Sequence, residues 1–519
     1  MNRRHFLNGV CAAALAPVLT SRPVQASTSS GLTTPDALIQ AARDLAQHPY
    51  APRPQVLAPP FDGLTYDSHR GIRPRTGHAA DLALGPDFVA DLLPPGWLFA
   101  DPVSIDLPGH DTEFSAQMFS FDPRYFSPAP AQGSLPDMGF SGLRLRHQLN
   151  RAGNWDEVLV LQGASYFRAL AKDTVYGLSA RALSLGTGGP TPEEFPVTRH
   201  ISVFEAGESL HFGCLIDSPR ASAALIATLE PGQTTAMDCT LHLFARTRID
   251  DAGIAPLTSM FQHNALGPAA IDDFRPAVHD SDVLVIDNGA GERLWRPLAN
   301  PARVQVSAFV DTNPRGFGLV QTPTAFSDFH DQEGAYHRRP TAWVTPQGDW
   351  GAGAVTLLEI PTPNEFADNI VAFWRPAAAL EVGEHRFAYR LDWCAPGPAS
   401  LPAQDDALLA LRSASGVEPN LAEGRLFVID FVPAATGIDA IAPASVQLDF
   451  GDDGASSYIT GAAFYRLHTD DPALRASFVF TPPDDMDVAE LRLRLRLPDG
   501  ALLAPVWLYR WTRSREGGV

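Results

Sequence analysis

The sequence predicts an all-β protein, a large N-terminal β-sandwich followed by a small immunoglobulin-like β-sandwich. Three observations carry that expectation. Turn formers are plentiful and evenly spread, with 41 glycines and 46 prolines in 519 residues, which favours many short strands over long helices. From Phe61 to Arg390, short apolar runs such as Glu157–Leu161, Leu210–Ile216, Leu241–Ala245 and Val283–Ile286 alternate with turn clusters, roughly every 8 to 12 residues as in a sandwich. No heptad run or long internal repeat interrupts them, which excludes coiled coils and solenoids.

The elements follow in chain order. Residues 1–26 read as an export signal: Arg3 and Arg4 precede Phe6 and Leu7, an apolar stretch runs from Val10 to Leu19, and Val24-Gln25-Ala26 suits small-residue cleavage. The apolar stretch is too short to span a bilayer by preference, and Cys11 within it lacks a lipoprotein context. Thr34 to Ala46 has helical spacing, with Thr34 as N-cap and Pro35 in the first turn. The large domain is expected over 27–396 and the small one over 397–519, divided at the Pro/Gly/Ala-rich stretch Cys394 to Ala403. Beyond it, strands are expected at Arg425–Val432, Ser445–Phe450, Tyr458–His468, Ala476–Thr481, Glu490–Leu497 and Val506–Trp511. Leu491 to Leu497 alternates leucine and arginine, placing four leucines on a core face and three arginines in solvent.

Charge narrows the partner. The formal net charge is −20, and removing Arg3, Arg4 and Arg22 with the signal takes it to −23. That argues against nucleic acid or an anionic membrane surface and is compatible with a neutral ligand. No HExxH or paired-ligand spacing appears among the 15 histidines, and Gly186–Gly189 runs into Pro190 and Pro192 rather than opening a helix, so neither a metal nor a cofactor is expected. Once the signal has gone, Cys214, Cys239 and Cys394 remain. Cys214 and Cys239 lie in two strand-like runs and either pair across a sheet or stay as buried thiols.

Carboxylates and aromatics are left to carry chemistry. The densest mixture lies between Asp311 and Trp374, and it holds Asp368 at the threshold of the apolar run Ile370 to Trp374. Burial at such a boundary can keep a carboxyl protonated near neutral pH. Trp295, Trp343, Trp350, Tyr166 and Arg338 are the candidate substrate-binding residues, since aromatic faces ringed by polar groups suit a carbohydrate. Trp and Tyr are also ordinary β-core residues, so composition alone decides little.

Longer motifs add to this. QGASYFRAL (162–170), YGLSARAL (176–183), EEFP (193–196), RPAVHDSD (275–282), GERLWRPLANP (291–301), RRPTAWVTPQGDWGAG (338–353) and EIPTPNEFADNIVAFW (359–374) resemble, in order and across the mature chain, the osmoregulated periplasmic glucan biosynthesis family. The paired-arginine signal resembles that of the family's D members, whereas G members typically carry an ordinary secretory signal. The resemblance implies a mutarotase-like β-sandwich joined to an immunoglobulin-like domain, a periplasmic location reached by the twin-arginine route, and action on a β-1,2-linked glucan backbone. Some relatives are inverting β-1,2-glucanases; others are transglycosylases or have no demonstrated activity. By the same resemblance Asp368 is the general acid, Asp280 of VHDSD the general base, and Tyr336 a member of the proton relay. Inversion requires two such carboxyl groups about 6.5–9.5 Å apart. One departure concerns VTRHISVFEAGES after EEFP, where the family typically has an aromatic-rich strand with a Trp.

Three readings of function therefore stand: an endo-acting inverting β-1,2-glucanase, a transglycosylase on the same backbone, and a non-catalytic glucan-binding protein that contacts a membrane glucan synthase. The sequence leaves the oligomeric state open, a homodimer included.

Overall fold

Two large sheets face each other across one apolar core. The computed structural model describes residues 31–516 apart from 54–56, 131–135, 268–271, 405, 419–423, 435–441, 453 and 469–470. The expected signal peptide lies outside the described residues. No helix among them is long and apolar enough to cross a membrane.

The first sheet runs, strand by neighbouring strand, through Leu82–Leu84, Phe88–Leu93, Gly142–His147, Asp156–Gln162, Tyr166–Ala169, Ser179–Arg181, Ala252–Ser259, Ile370–Pro376, Ala352–Glu359 and Gln305–Thr312. Opposite it, the second sheet is centred on Thr235–Ala245, which pairs with Gly383–Cys394 on one side and with Ala221–Glu230 on the other. Alternation sorts the side chains of such a strand. Met237, Cys239, Leu241 and Leu243 enter the shared core with Leu143, Leu159, Ile254, Leu357 and Trp374 of the first sheet. Phe244 turns to the other face, where Leu38 and Ala42 of the helix Pro35–Ala46 cover it. Thr34 caps that helix as expected, its hydroxyl accepting from the Ala37 N–H at 3.2 Å.

Cys214 and Cys239 are free, buried thiols. They occupy Leu210–Asp217 and Thr235–Ala245, and the strand Ala221–Glu230 lies between these two.

The segment after Cys394 adds a sheet of its own and strands to the second sheet, and a second core lies among them. Leu408–Val417, Arg425–Pro433, Asp471–Phe480 and Ile459–His468 form a four-stranded antiparallel sheet. Phe427, Ile429 and Phe478 of that sheet pack with Leu491, Leu493, Leu495 and Trp507. The strand Val506–Thr512 then runs parallel to Arg293–Pro297, with Trp295 opposite Trp507, so the second sheet continues into the C-terminal part of the chain. Leucines 491, 493 and 495 face the core as the alternation requires, and Leu497 is only partly buried. The arginines between them are half-buried rather than free in solvent: Arg494 pairs with Glu292 at 3.3 Å and Arg496 with Asp449 at 2.8 Å.

Candidate active site

Asp280 and Asp368 are held on either side of one short segment, Ser259 to Phe261. On the first flank, Ser259 is paired with Ile370, and the side-chain amide of Asn369 accepts from the Phe261 N–H at 2.8 Å and donates to its carbonyl at 2.9 Å. On the second flank, Phe261 is paired with His279, the Asp280 N–H donates to the Met260 carbonyl at 2.8 Å, and the Ser259 hydroxyl donates to that of Ser281 at 2.8 Å. Residues 88 apart in sequence are thereby fixed by the same three backbone positions.

The two carboxylates differ in surroundings. Asp280 is buried, with an Arg339 guanidinium nitrogen 3.4 Å from its Oδ1. Arg339 is itself locked, donating to the Gly334 carbonyl at 2.8 and 3.1 Å and to the Tyr176 carbonyl, and it lies over the Tyr336 ring at 5.0 Å. Asp368 does not sit inside the apolar run it precedes. Side chains alternate along the chain, and Asn369 takes the inward position. The Asp368 carboxylate is 25% exposed, 3.5 Å from Arg168 and within 3.5 Å of the Ser179 hydroxyl. The expectation of a carboxyl sealed by burial is corrected accordingly.

Tyr336 joins the Asp280 side. Gln321, fully buried, donates to the His279 carbonyl at 3.0 Å and to the Tyr336 carbonyl at 2.9 Å, binding the two segments together. The phenol donates to Glu365 at 3.0 Å. Burial first, then the negative charges of Asp280 and Glu365, push the phenol well above its ordinary value, so it is a protonated donor at neutral pH. Glu365 is ion-paired with Arg275 at 2.7 Å, and Arg275 also holds Asp331 at 2.7 Å and Asp273 at 2.6 Å. The guanidinium holds Asp273 below the usual carboxylate range. Three carboxylates around one guanidinium leave this flank negatively charged.

The other sequence-derived candidates fall elsewhere. Tyr166 is near Asp368: burial, opposed by Arg181 and assisted by Asp368, pushes its phenol up to about 12, and Arg181 lies over its ring at 4.6 Å. Trp295 and Trp343 are 1% and 2% exposed within the second core, so neither has a face for a sugar. Trp350 is buried among Trp374, Phe387 and Tyr389, with its indole N–H on the Ala388 carbonyl at 3.1 Å. Strand alternation turns Trp295 and Trp343 into the second core, and Trp350 reaches the first core from the turn between Thr341–Gln347 and Ala352–Glu359, so the proposal of tryptophan platforms is corrected. Arg338 is exposed and donates to the Asp173 carbonyl at 3.1 and 3.2 Å; its neighbour Arg339 is the one that reaches Asp280.

His279 carries a pH consequence. It is fully buried, stacked on Phe261 at 5.5 Å, with Asp282 3.6 Å from Nε2. Burial lowers its pKa below 6.5, and Asp282 opposes this only in part. A depressed folded-state pKa means that its contribution to stability is complete above the unfolded value and is lost as pH falls below it. Urea denaturation from pH 7 to 5 is expected to show a declining unfolding free energy whose slope is shallower in His279→Gln, by up to about 1.4 kcal/mol per pH unit. Identical slopes would contradict this.

Fold and site together define an all-β protein of two stacked sheets with an acidic, arginine-clamped centre. The family described as "Periplasmic glucan biosynthesis protein, MdoG" matches residues 34–511. "Glucans biosynthesis protein G" of Vibrio cholerae serotype O1 is 41% identical over 487 residues, covering 92% of this chain and 86% of that protein. "Glucans biosynthesis protein G 1" of Shewanella oneidensis is 38% identical over 495 residues, covering 93% and 88%. The G protein of Shewanella frigidimarina is 40% identical over 489 residues, covering 92% and 84%. The chain belongs to the periplasmic glucan biosynthesis family. The signal-based likeness to D members rests on residues outside those described.

Proposed function

We propose that the protein is a periplasmic enzyme acting on the β-1,2-linked glucan backbone, an endo-acting hydrolase that inverts the anomeric centre. The observation that supports it most is the attachment of Asp280 and Asp368 to opposite flanks of Ser259–Phe261. In this reading Asp368 donates a proton to the glycosidic oxygen as the C–O bond breaks. Water adds to the anomeric carbon from the opposite face, and its proton passes to Asp280, directly or through the Tyr336 hydroxyl. The negative flank formed by Glu365, Asp331 and Asp273 around Arg275 suits the positive charge that develops at the anomeric carbon. Export to the periplasm through the twin-arginine route belongs to the same proposal, as does the division into a glucan-active domain and an immunoglobulin-like one near residue 396.

The test is incubation of the mature protein with linear β-1,2-glucan and mass analysis of the products. Short oligosaccharides with new reducing ends support hydrolysis. Products without new reducing ends favour the transglycosylase, and tight binding with no products favours an assembly role beside a membrane synthase.

A further inference from the structure

The buried tryptophans leave a glucan-active site without its aromatic platforms, and two phenylalanines, Phe195 of the EEFP motif and Phe274 just before RPAVHDSD, occupy suitable places. Phe274 is 82% exposed and Phe195 50% exposed, where an aromatic ring normally seeks burial. Both are flanked by ion-paired residues. Phe274 lies between Asp273 and Arg275. Arg275 is fastened through its side chain to Asp273, Asp331 and Glu365, while its N–H donates to Asp273 at 2.9 Å and its carbonyl meets His263 Nε2 at 3.0 Å. Through Glu365 this clamp meets the Tyr336 hydroxyl at 3.0 Å. Phe195 follows Glu193, which accepts from Arg181 at 2.5 Å and from the Thr187 hydroxyl at 2.6 Å, and Glu194, which pairs with Arg220 at 2.9 Å. The Arg181 guanidinium lies 5.5 Å from the Phe195 ring and 4.6 Å from the Tyr166 ring.

We propose that Phe195 and Phe274 are the stacking platforms for glucose units of the bound chain, Phe195 tied to the Asp368 side and Phe274 to the Asp280 side. The proposal rests on the glucan-active reading and adds to it how the polymer is gripped on either side of the reacting bond. Solvent-exposed rings on segments fastened by ion pairs offer their apolar faces to the C–H faces of a pyranose. A neutral homopolymer supplies one such face per residue, which a strongly acidic protein does not repel.

Calorimetric titration with linear β-1,2-gluco-oligosaccharides long enough to reach both rings tests this, using the Asp368→Asn protein to prevent turnover. Phe274→Ala and Phe195→Ala in that background are each expected to weaken binding about three- to tenfold, and Phe274→Trp and Phe195→Trp to retain or tighten it. Unchanged affinity in both alanine variants, or equal losses with alanine and tryptophan, would overturn the proposal. So would a change in sedimentation with no change in sugar affinity, since the rings would then serve contact between protein copies. Turnover by wild type is scored separately. Binding through the rings without turnover removes the hydrolase and keeps the platforms, and turnover with normal binding by the alanine variants does the reverse.

Discussion

Replacing either carboxylate by its amide is expected to cut kcat on linear β-1,2-glucan by about 10²–10⁴-fold, the range for losing a general acid or base. Affinity for the glucan should change little. Asp368→Asn retains the shape of a side chain whose neighbours are Arg168 and Ser179, both 3.5 Å away, and removes its capacity to give or take a proton. Asp280→Asn removes the charge opposite Arg339, leaving a buried guanidinium without that carboxylate. This variant is therefore expected to lose some stability as well, while Asp368→Asn is not. Activity and urea midpoint measured on both variants separate the two effects. An Asp368→Asn protein with full activity would remove the acid role, and an Asp280→Asn protein with full activity the base role.

Arg296→Met is expected to destabilise the whole fold by about 3–5 kcal/mol, the cost of breaking a buried ion pair from one side. Glu359 is fully buried and Arg296 2% exposed, with 3.2 Å between them. Their strands, Ala352–Glu359 and Arg293–Pro297, belong to different sheets, and the Arg296 guanidinium lies 6.0 Å from the Tyr509 ring of the C-terminal segment. One pair thus joins both large sheets and the second core. Met fills the volume but leaves the carboxylate with the Ala299 N–H at 2.7 Å, which offsets only part of the charge. Combining it with Glu359→Leu should recover part of the loss, because what then remains is one unpaired N–H at about 1–3 kcal/mol. Equal losses in the single and double variants would show that packing rather than charge dominates there.

How much of this was legible in the sequence depends on the range of the signal. Period-two alternation is local, so Leu491 to Leu495 and the strand starting at Val506 are found where the pattern places them. The capped helix at Pro35 is equally local. Leu408–Val417 escaped notice because its second half, Ser413-Ala414-Ser415-Gly416, has no apolar alternation; pairing with Arg425–Pro433 makes it a strand. The same limit applies to the tryptophans, since a residue type does not say which face of a strand it occupies.

For the site, the motifs pointed to Asp280, Asp368 and Tyr336, while the residues that hold them together went unassigned. Phe261, Gln321, Arg339, Glu365 and Asn369 are scattered over more than a hundred positions, and the antiparallel pairing of Phe261 with His279 makes them neighbours. Arg275 and Glu365 stand inside quoted motifs, RPAVHDSD and EIPTPNEFADNIVAFW, so the signal was present without its meaning. Local order in a sequence does not reveal that one arginine collects three carboxylates.

The most direct measurement is proton NMR of the first reducing ends released from linear β-1,2-glucan, recorded before mutarotation equilibrates them. Inversion by the Asp368–Asp280 pair should give the α-anomer first. A β-anomer appearing first, or the absence of any new reducing end, would contradict it.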